Sequence, residues 1–143
     1  MFSKACEYAI KATIYIAQQT NQERRANVKE VAKSVNAPEA FTAKILQQLC
    51  RANILESVRG KQGGFVFPTA TQKQIKIYDV VELIDGDGLF TNCGLGLHKC
   101  SSENPCPVHD DFKIVRDNLV AMTQKFSFYD LALKTENGLV WLK

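Results

Sequence analysis

The sequence has no run of about 18 apolar residues, the length a membrane-crossing helix needs, so a spanning role is excluded. Its opening Met1-Phe2-Ser3-Lys4 runs straight into an amphipathic pattern containing Glu7, without the apolar core and small-residue cleavage site of a secretory signal. The expected compartment is the cytoplasm. There is no internal repeat of about twenty residues or more, which excludes a solenoid or propeller. No Cys-x-x-Cys pair occurs, which weighs against a zinc knuckle and removes the thioredoxin-type redox motif. Nor does any cysteine stand in a clear pattern with a histidine and an acidic residue, so the chain reads as a non-enzyme.

What is present suits a globular domain of 143 residues: 45% hydrophobic and 23% charged, enough apolar surface for a core. Charge is uneven. Residues 1–64 carry ten Lys/Arg against five Asp/Glu, while residues 65–143 carry eight against ten. A basic front half fits nucleic-acid contact at one end.

The periodicity predicts a helix over 5–19, with Ile10, Ile14 and Ala17 on one side. A second helix starts after Asn27, where Glu30 completes a capping box; its apolar face is Val28, Val31, Ala32 and Val35. Asn36 tolerates the left-handed backbone that ends such a helix, and Pro38 suits the first position of the next, which runs from about Glu39 to Ala52. Two short helices about a tight turn form a helix-turn-helix candidate. The period then changes. Ile54–Val58 and Phe65–Phe67 read as strands around the basic, Gly-rich tip Arg59-Gly60-Lys61-Gln62-Gly63-Gly64. Helix-turn-helix followed by a basic hairpin is the order of a winged helix. A helix over 77–85 ends at Gly86, and a long helix over about 108–126 follows the cysteine loop. Its Val108, Phe112, Val115, Leu119, Met122 and Phe126 recur at alternating spacings of four and three, a heptad-like stripe suited to pairing with a second copy. Phe128–Lys134 reads as a last short helix, and Leu139, Val140 and Trp141 as a tail that docks on the body. The fold class is therefore mainly α with a small β-hairpin wing: a winged helix-turn-helix region (1–86), a cysteine loop (87–109), and a dimerisation helix with tail (110–143).

Three of the five cysteines, Cys93, Cys100 and Cys106, fall within fourteen residues, with His109 just beyond. The intervals are six, five and then two residues. Soft thiolates suit iron in iron–sulfur units, and three of them leave one coordination site for another ligand. His109 is the nearest candidate, with His98 and an acidic residue from elsewhere as others. Zinc on three cysteines and a histidine, a redox-active thiol pair, and no cofactor at all stand as alternatives. Cys6 and Cys50 lie in helical patterns as small core residues. On the third helix, Glu39, Ala40, Thr42, Ala43 and Lys44 face the major groove in this reading. Phe41 seals the core or meets a thymine methyl, and Gln47 and Gln48 reach adenine or the backbone. Arg59 and Lys61 on the wing suit phosphate or minor-groove contact.

These residues resemble the IscR/NsrR/BadM superfamily of bacterial winged-helix regulators over essentially the whole chain. The likeness is carried by Lys4-Ala5-Cys6-Glu7-Tyr8-Ala9-Ile10, by Ser57–Phe65, by Ile77–Gly86, and by the loop with Cys93, Cys100, Pro105, Cys106 and His109. The resemblance implies a homodimer paired through the long helix and an operator in double-stranded DNA. It also implies an iron–sulfur cluster (2Fe-2S or 4Fe-4S) on Cys93, Cys100 and Cys106 that changes DNA affinity with redox state, iron–sulfur status or nitric oxide. The fourth ligand it implies is His109 in one branch and, in another, a carboxylate of the partner's first helix, which falls on Glu7. The first cysteine interval is a residue longer than the family's usual one, and Ala43 and Lys44 depart from the well-known recognition helices. The resulting expectation is a transcription regulator, in the repressor mould, with a cluster-free member of the same superfamily as the alternative.

Overall fold

A computed structural model describes residues 1–97 and 100–142; the His98 ligand candidate lies outside them. Helix α1 (Lys4–Asn21) is capped by Ser3, whose hydroxyl accepts from the Cys6 N–H at 3.0 Å. Asp85 in turn accepts from the Ser3 N–H at 2.9 Å and from its hydroxyl. Helix α2 (Val28–Val35) opens on the expected capping box of Asn27 and Glu30 and closes at Asn36 with φ 54° and ψ 53°, in the left-handed region. Helix α3 (Glu39–Arg51) begins one residue later than Pro38, which takes the cap position in an extended conformation rather than the first helical one. Together α2 and α3 form the helix-turn-helix, packed on α1.

Strands β1 (Glu56–Val58) and β2 (Gly64–Val66) pair antiparallel, Ser57 opposite Phe65. The first strand is shorter than the sequence suggests. Ile54 and Leu55 are buried beneath the hairpin and serve the core instead. The wing is fastened to the body by an isolated bridge: Phe65 N–H donates to Ala26 O at 2.8 Å and Ala26 N–H returns the bond. Backbones approach so closely here that a Cβ on Gly64 (φ 151°) would meet Ala26 O at 2.8 Å, which only glycine avoids.

Helix α4 (Thr69–Gln74) was not legible from the periodicity; it starts after Pro68 and buries Gln72, whose amide donates to Phe67 O at 2.7 Å. Helix α5 (Ile77–Asp85) ends at Gly86 (φ 78°) as expected. A single turn, α6 (Gly88–Thr91), precedes the cysteine loop; α7 (His109–Lys125) and α8 (Phe128–Glu136) follow it. The main core gathers Ile16, Val31, Leu46, Leu49, Val80 and Phe128 from α1, α2, α3, α5 and α8, with Leu55 and Phe67 from either side of the hairpin. Truncating a fully buried leucine such as Leu46 to alanine costs about 2–5 kcal/mol. A second cluster of Cys6, Val81 and Phe90, with Leu119 and Val120 packed against it, seats α6 and α7 on α5 and α1. Tyr78 stacks on Phe90 with centroids 4.4 Å apart. The tail lies beside α1 and α2, where Val140, Trp141 and Leu142 share a cleft with Lys11, Tyr15 and Val35, but Leu139 and Trp141 stay largely exposed, Trp141 at 83%. Among the described residues no helix is long and apolar enough to cross a membrane.

Candidate functional site

The cysteine loop is held by one face of α7. His109, Phe112 and Arg116 are spaced three and four apart, which stacks them on a single side of a helix. His109 is buried at the start of α7, and its Nδ1 lies 3.2 Å from Cys100 Sγ. The Phe112 ring lies against Gly94, where any Cβ would run into the ring. Arg116 donates to Asn92 O at 2.7 Å. Three consecutive turns of α7 therefore fix positions 100, 94 and 92 of the loop.

Across the loop, Cys93 Sγ lies 3.8 Å from Cys106 Sγ. Two thiolates on one tetrahedral metal, each at about 2.3 Å, stand about 3.8 Å apart, so this pair already has ligand spacing. The Cys93 thiol is held below its ordinary pKa chiefly by the backbone N–H groups of Leu95 and then Leu97, against desolvation, with Cys106 and Arg116 adding to the lowering. This is the chemistry of a thiolate site. The donors form two pairs, Cys93 with Cys106 and Cys100 with His109. Among the described residues no three His, Cys, Asp or Glu side chains gather around one point. Three thiols and an imidazole are a donor set that suits iron–sulfur units and also zinc.

Glu7 stands apart from these pairs in the single chain. It is on the exposed side of α1, 2.9 Å from Lys4 Nζ, and that hydrogen bond and charge hold its carboxyl below the usual range. Cys6 and Cys50 are core residues as expected. Burial, reinforced by Asp85, pushes the Cys6 thiol up to about 12, and burial raises Cys50.

On α3, Glu39, Ala40, Lys44, Gln47 and Gln48 are exposed and Ala43 is half-buried. Thr42 is a correction. It is buried, and its hydroxyl donates to Pro38 O at 2.9 Å, so it braces the turn and presents nothing outward. Phe41 is partly exposed, with its ring edge-on to Tyr8 of α1 at 5.9 Å. Arg59 and Lys61 are exposed on the wing tip.

The heptad-like stripe of α7 divides between two environments. Phe112 packs on Gly94, Leu119 on the second core cluster, and half-buried Phe126 beneath the Lys134 ammonium. Val115 (61% exposed) and Met122 (45%) remain open, joined by Ile114 (60%), while Val108 caps the helix. Sequence reasoning missed Arg116 and the role of Phe112; Gly94, a glycine beside Cys93, was the available signal.

Comparison with known proteins agrees with this architecture. Residues 2–134 match the Rrf2 family, described as an iron-dependent transcriptional regulator. A protein of Aquifex aeolicus (strain VF5) named as an HTH-type transcriptional regulator is 34% identical over 121 residues, 83% of this chain and 82% of that protein. Among solved structures, CymR (YrzC), the global cysteine regulator of B. subtilis, superposes with a TM-score of 0.74 at 18% identity, covering 92% of this chain and 95% of that one. IscR of T. potens superposes with a TM-score of 0.74 at 17% identity, covering 100% and 93%. The relatives are named as regulators, not enzymes.

Proposed function

The chain belongs to the Rrf2 family of transcriptional regulators, and from that premise we propose that it is a homodimeric DNA-binding repressor whose operator affinity is set by an iron–sulfur cluster on Cys93, Cys100, Cys106 and His109. The observation that carries this reading is the pair of donor contacts, 3.8 Å for Cys93–Cys106 and 3.2 Å for Cys100–His109, braced by one face of α7. Bound there, a cluster supplies a centre that responds to oxidation, iron supply or nitric oxide. The chain's own residues do the rest. Phe112 and Arg116 tie the loop to α7, and Leu119 and Val120 tie α7 to α5 and α1. The open Ile114, Val115 and Met122 face offers a second copy an apolar surface. A change in loop order is thereby passed to the spacing of two winged helices, and α3 and the wing read the operator through Glu39, Ala40, Phe41, Ala43, Lys44, Gln48, Arg59 and Lys61.

The test is the iron and acid-labile sulfide content of anaerobically purified protein, wild type against Cys93→Ser, Cys100→Ser, Cys106→Ser, His109→Ala and Glu7→Ala. Loss of iron in the three serine variants and in His109→Ala, with Glu7→Ala unchanged, is expected. Iron lost in Glu7→Ala and kept in His109→Ala would move the fourth ligand to the partner's first helix. A second reading rests on the same 3.8 Å thiol pair: Cys93 and Cys106 as a reversible disulfide in a cluster-free regulator. Iron-free protein with a reducible Cys93–Cys106 bond would favour it, and stoichiometric zinc would move the site to that metal.

A further inference from the structure

The connection between α1 and α2 carries two arginines, Arg24 and Arg25, that neither the recognition helix nor the wing tip accounts for. They line a cleft of about 560 Å³ between this connection and the wing, together with Lys61, Glu23 and Glu30. Arg25 Nη1 donates to Gln62 O at 3.2 Å and so ties the connection to the hairpin tip. A guanidinium has five N–H donors, so one bond leaves most of them for another acceptor. Among the described residues no carboxylate lies within ion-pair distance of Arg24, Arg25 or Lys61; the ion pairs are Lys4–Glu7 and Lys113–Asp117. Glu30 is already committed, accepting from the Asn27 N–H at 2.9 Å in the α2 cap. The cleft thus holds three cations, Arg24, Arg25 and Lys61, against two carboxylates, Glu23 and the capping Glu30, a net excess of one positive charge. Its walls are rigidly spaced by the Ala26–Phe65 bridge and the close approach at Gly64. It also adjoins the start of α2, whose dipole adds positive potential.

We propose that Arg24, Arg25 and Lys61 form a phosphate clamp at the root of the wing, with Arg25 holding the wing and the DNA backbone through one guanidinium. The partner is the sugar–phosphate backbone of duplex DNA, outside the bases read by α3. The clamp rests on the DNA-binding reading, so its test uses two probes: a genomic fragment selected by the wild-type protein, and a short random-sequence duplex. Each phosphate contact contributes about 0.9 to the slope of log affinity against log salt. The Arg24→Ala/Arg25→Ala double variant is expected to bind both duplexes several-fold more weakly, with the slope reduced by about two contacts' worth per protomer, or four per dimer, at an unchanged melting temperature. Glu23→Gln, which removes the carboxylate sharing the cleft, is expected to bind both more tightly. Glu39→Ala on α3 is expected to alter the preference between the duplexes and leave the slope alone. A double variant with the wild-type slope on the random duplex would overturn the clamp while leaving DNA binding intact. Wild-type protein that bound neither duplex at low salt would overturn the DNA-binding reading, and the clamp with it.

Discussion

Five cysteines in one chain divide into two chemistries according to what surrounds each sulfur. Cys6 is buried beside Asp85, and burial, reinforced by that carboxylate, pushes its thiol up to about 12, so it stays protonated near neutral pH. Cys100 and Cys106 are partly accessible on a loop. Alkylation of the metal-free native protein, followed by peptide mass spectrometry, is therefore expected to modify Cys100 and Cys106 first and Cys6 only after unfolding. Early labelling of Cys6 would mean that the second core cluster is open. Gly94 gives an equally local prediction. A methyl group there runs into the Phe112 ring, so Gly94→Ala is expected to displace the loop and lower bound iron. The melting temperature should change little, because the main core lies elsewhere. Normal iron content in this variant would show that Phe112 does not set the loop's position.

At the scale of elements, the capping of α8 ties a pH dependence to a named pair. The Ser127 hydroxyl, and then its backbone N–H, hold the Asp130 carboxyl below its ordinary 3.8. A lowered carboxylate contributes stability that is fully present above the unfolded value and is lost as pH falls through the folded one. Removing the cap with Ser127→Ala is expected to cost about 1 kcal/mol in urea unfolding near neutral pH. The deficit should shrink as the solution is acidified below about pH 3.8; a deficit constant with pH would contradict this assignment. The α8 cap and the α2 box are both local signals, three residues apart in sequence, and the α2 box, like Asn36, could be read from the sequence for that reason. Helix α4 could not. Thr69–Gln74 is polar throughout and exists because Pro68 starts it and buried Gln72 bonds to Phe67 O. Thr42 misled because it is polar: the helix period sets it three, four and seven residues before Ile45, Leu46 and Leu49, on the buried face, where its hydroxyl is satisfied by Pro38 O. The cysteines proposed as ligands stood out from spacing and residue type. Their pairing did not, because it depends on which face of α7 meets the loop.

For the whole molecule, α7 links three structures: the cysteine loop on one side, the second core cluster beneath, and an open apolar face carrying Ile114, Val115 and Met122. Those three side chains make little contact within the single chain, so charged replacements there strike assembly before folding. In the proposed assembly the wild type sediments as a dimer, and Val115→Asp with Met122→Glu is expected to sediment as a monomer at the same concentration, with its helical content kept and its operator affinity reduced. An intact dimer in that double variant would place the interface elsewhere.

In the proposed regulator, the cysteine loop governs DNA binding. The most direct measurement is operator affinity, on a genomic fragment selected by the protein, for anaerobic iron-loaded wild type and for the Cys93→Ser/Cys100→Ser/Cys106→Ser variant at one salt concentration. Iron is expected in the first, none in the second, and affinities that differ by about 5–150-fold, the range of a typical allosteric coupling. Equal affinities, with the iron difference verified, would contradict it.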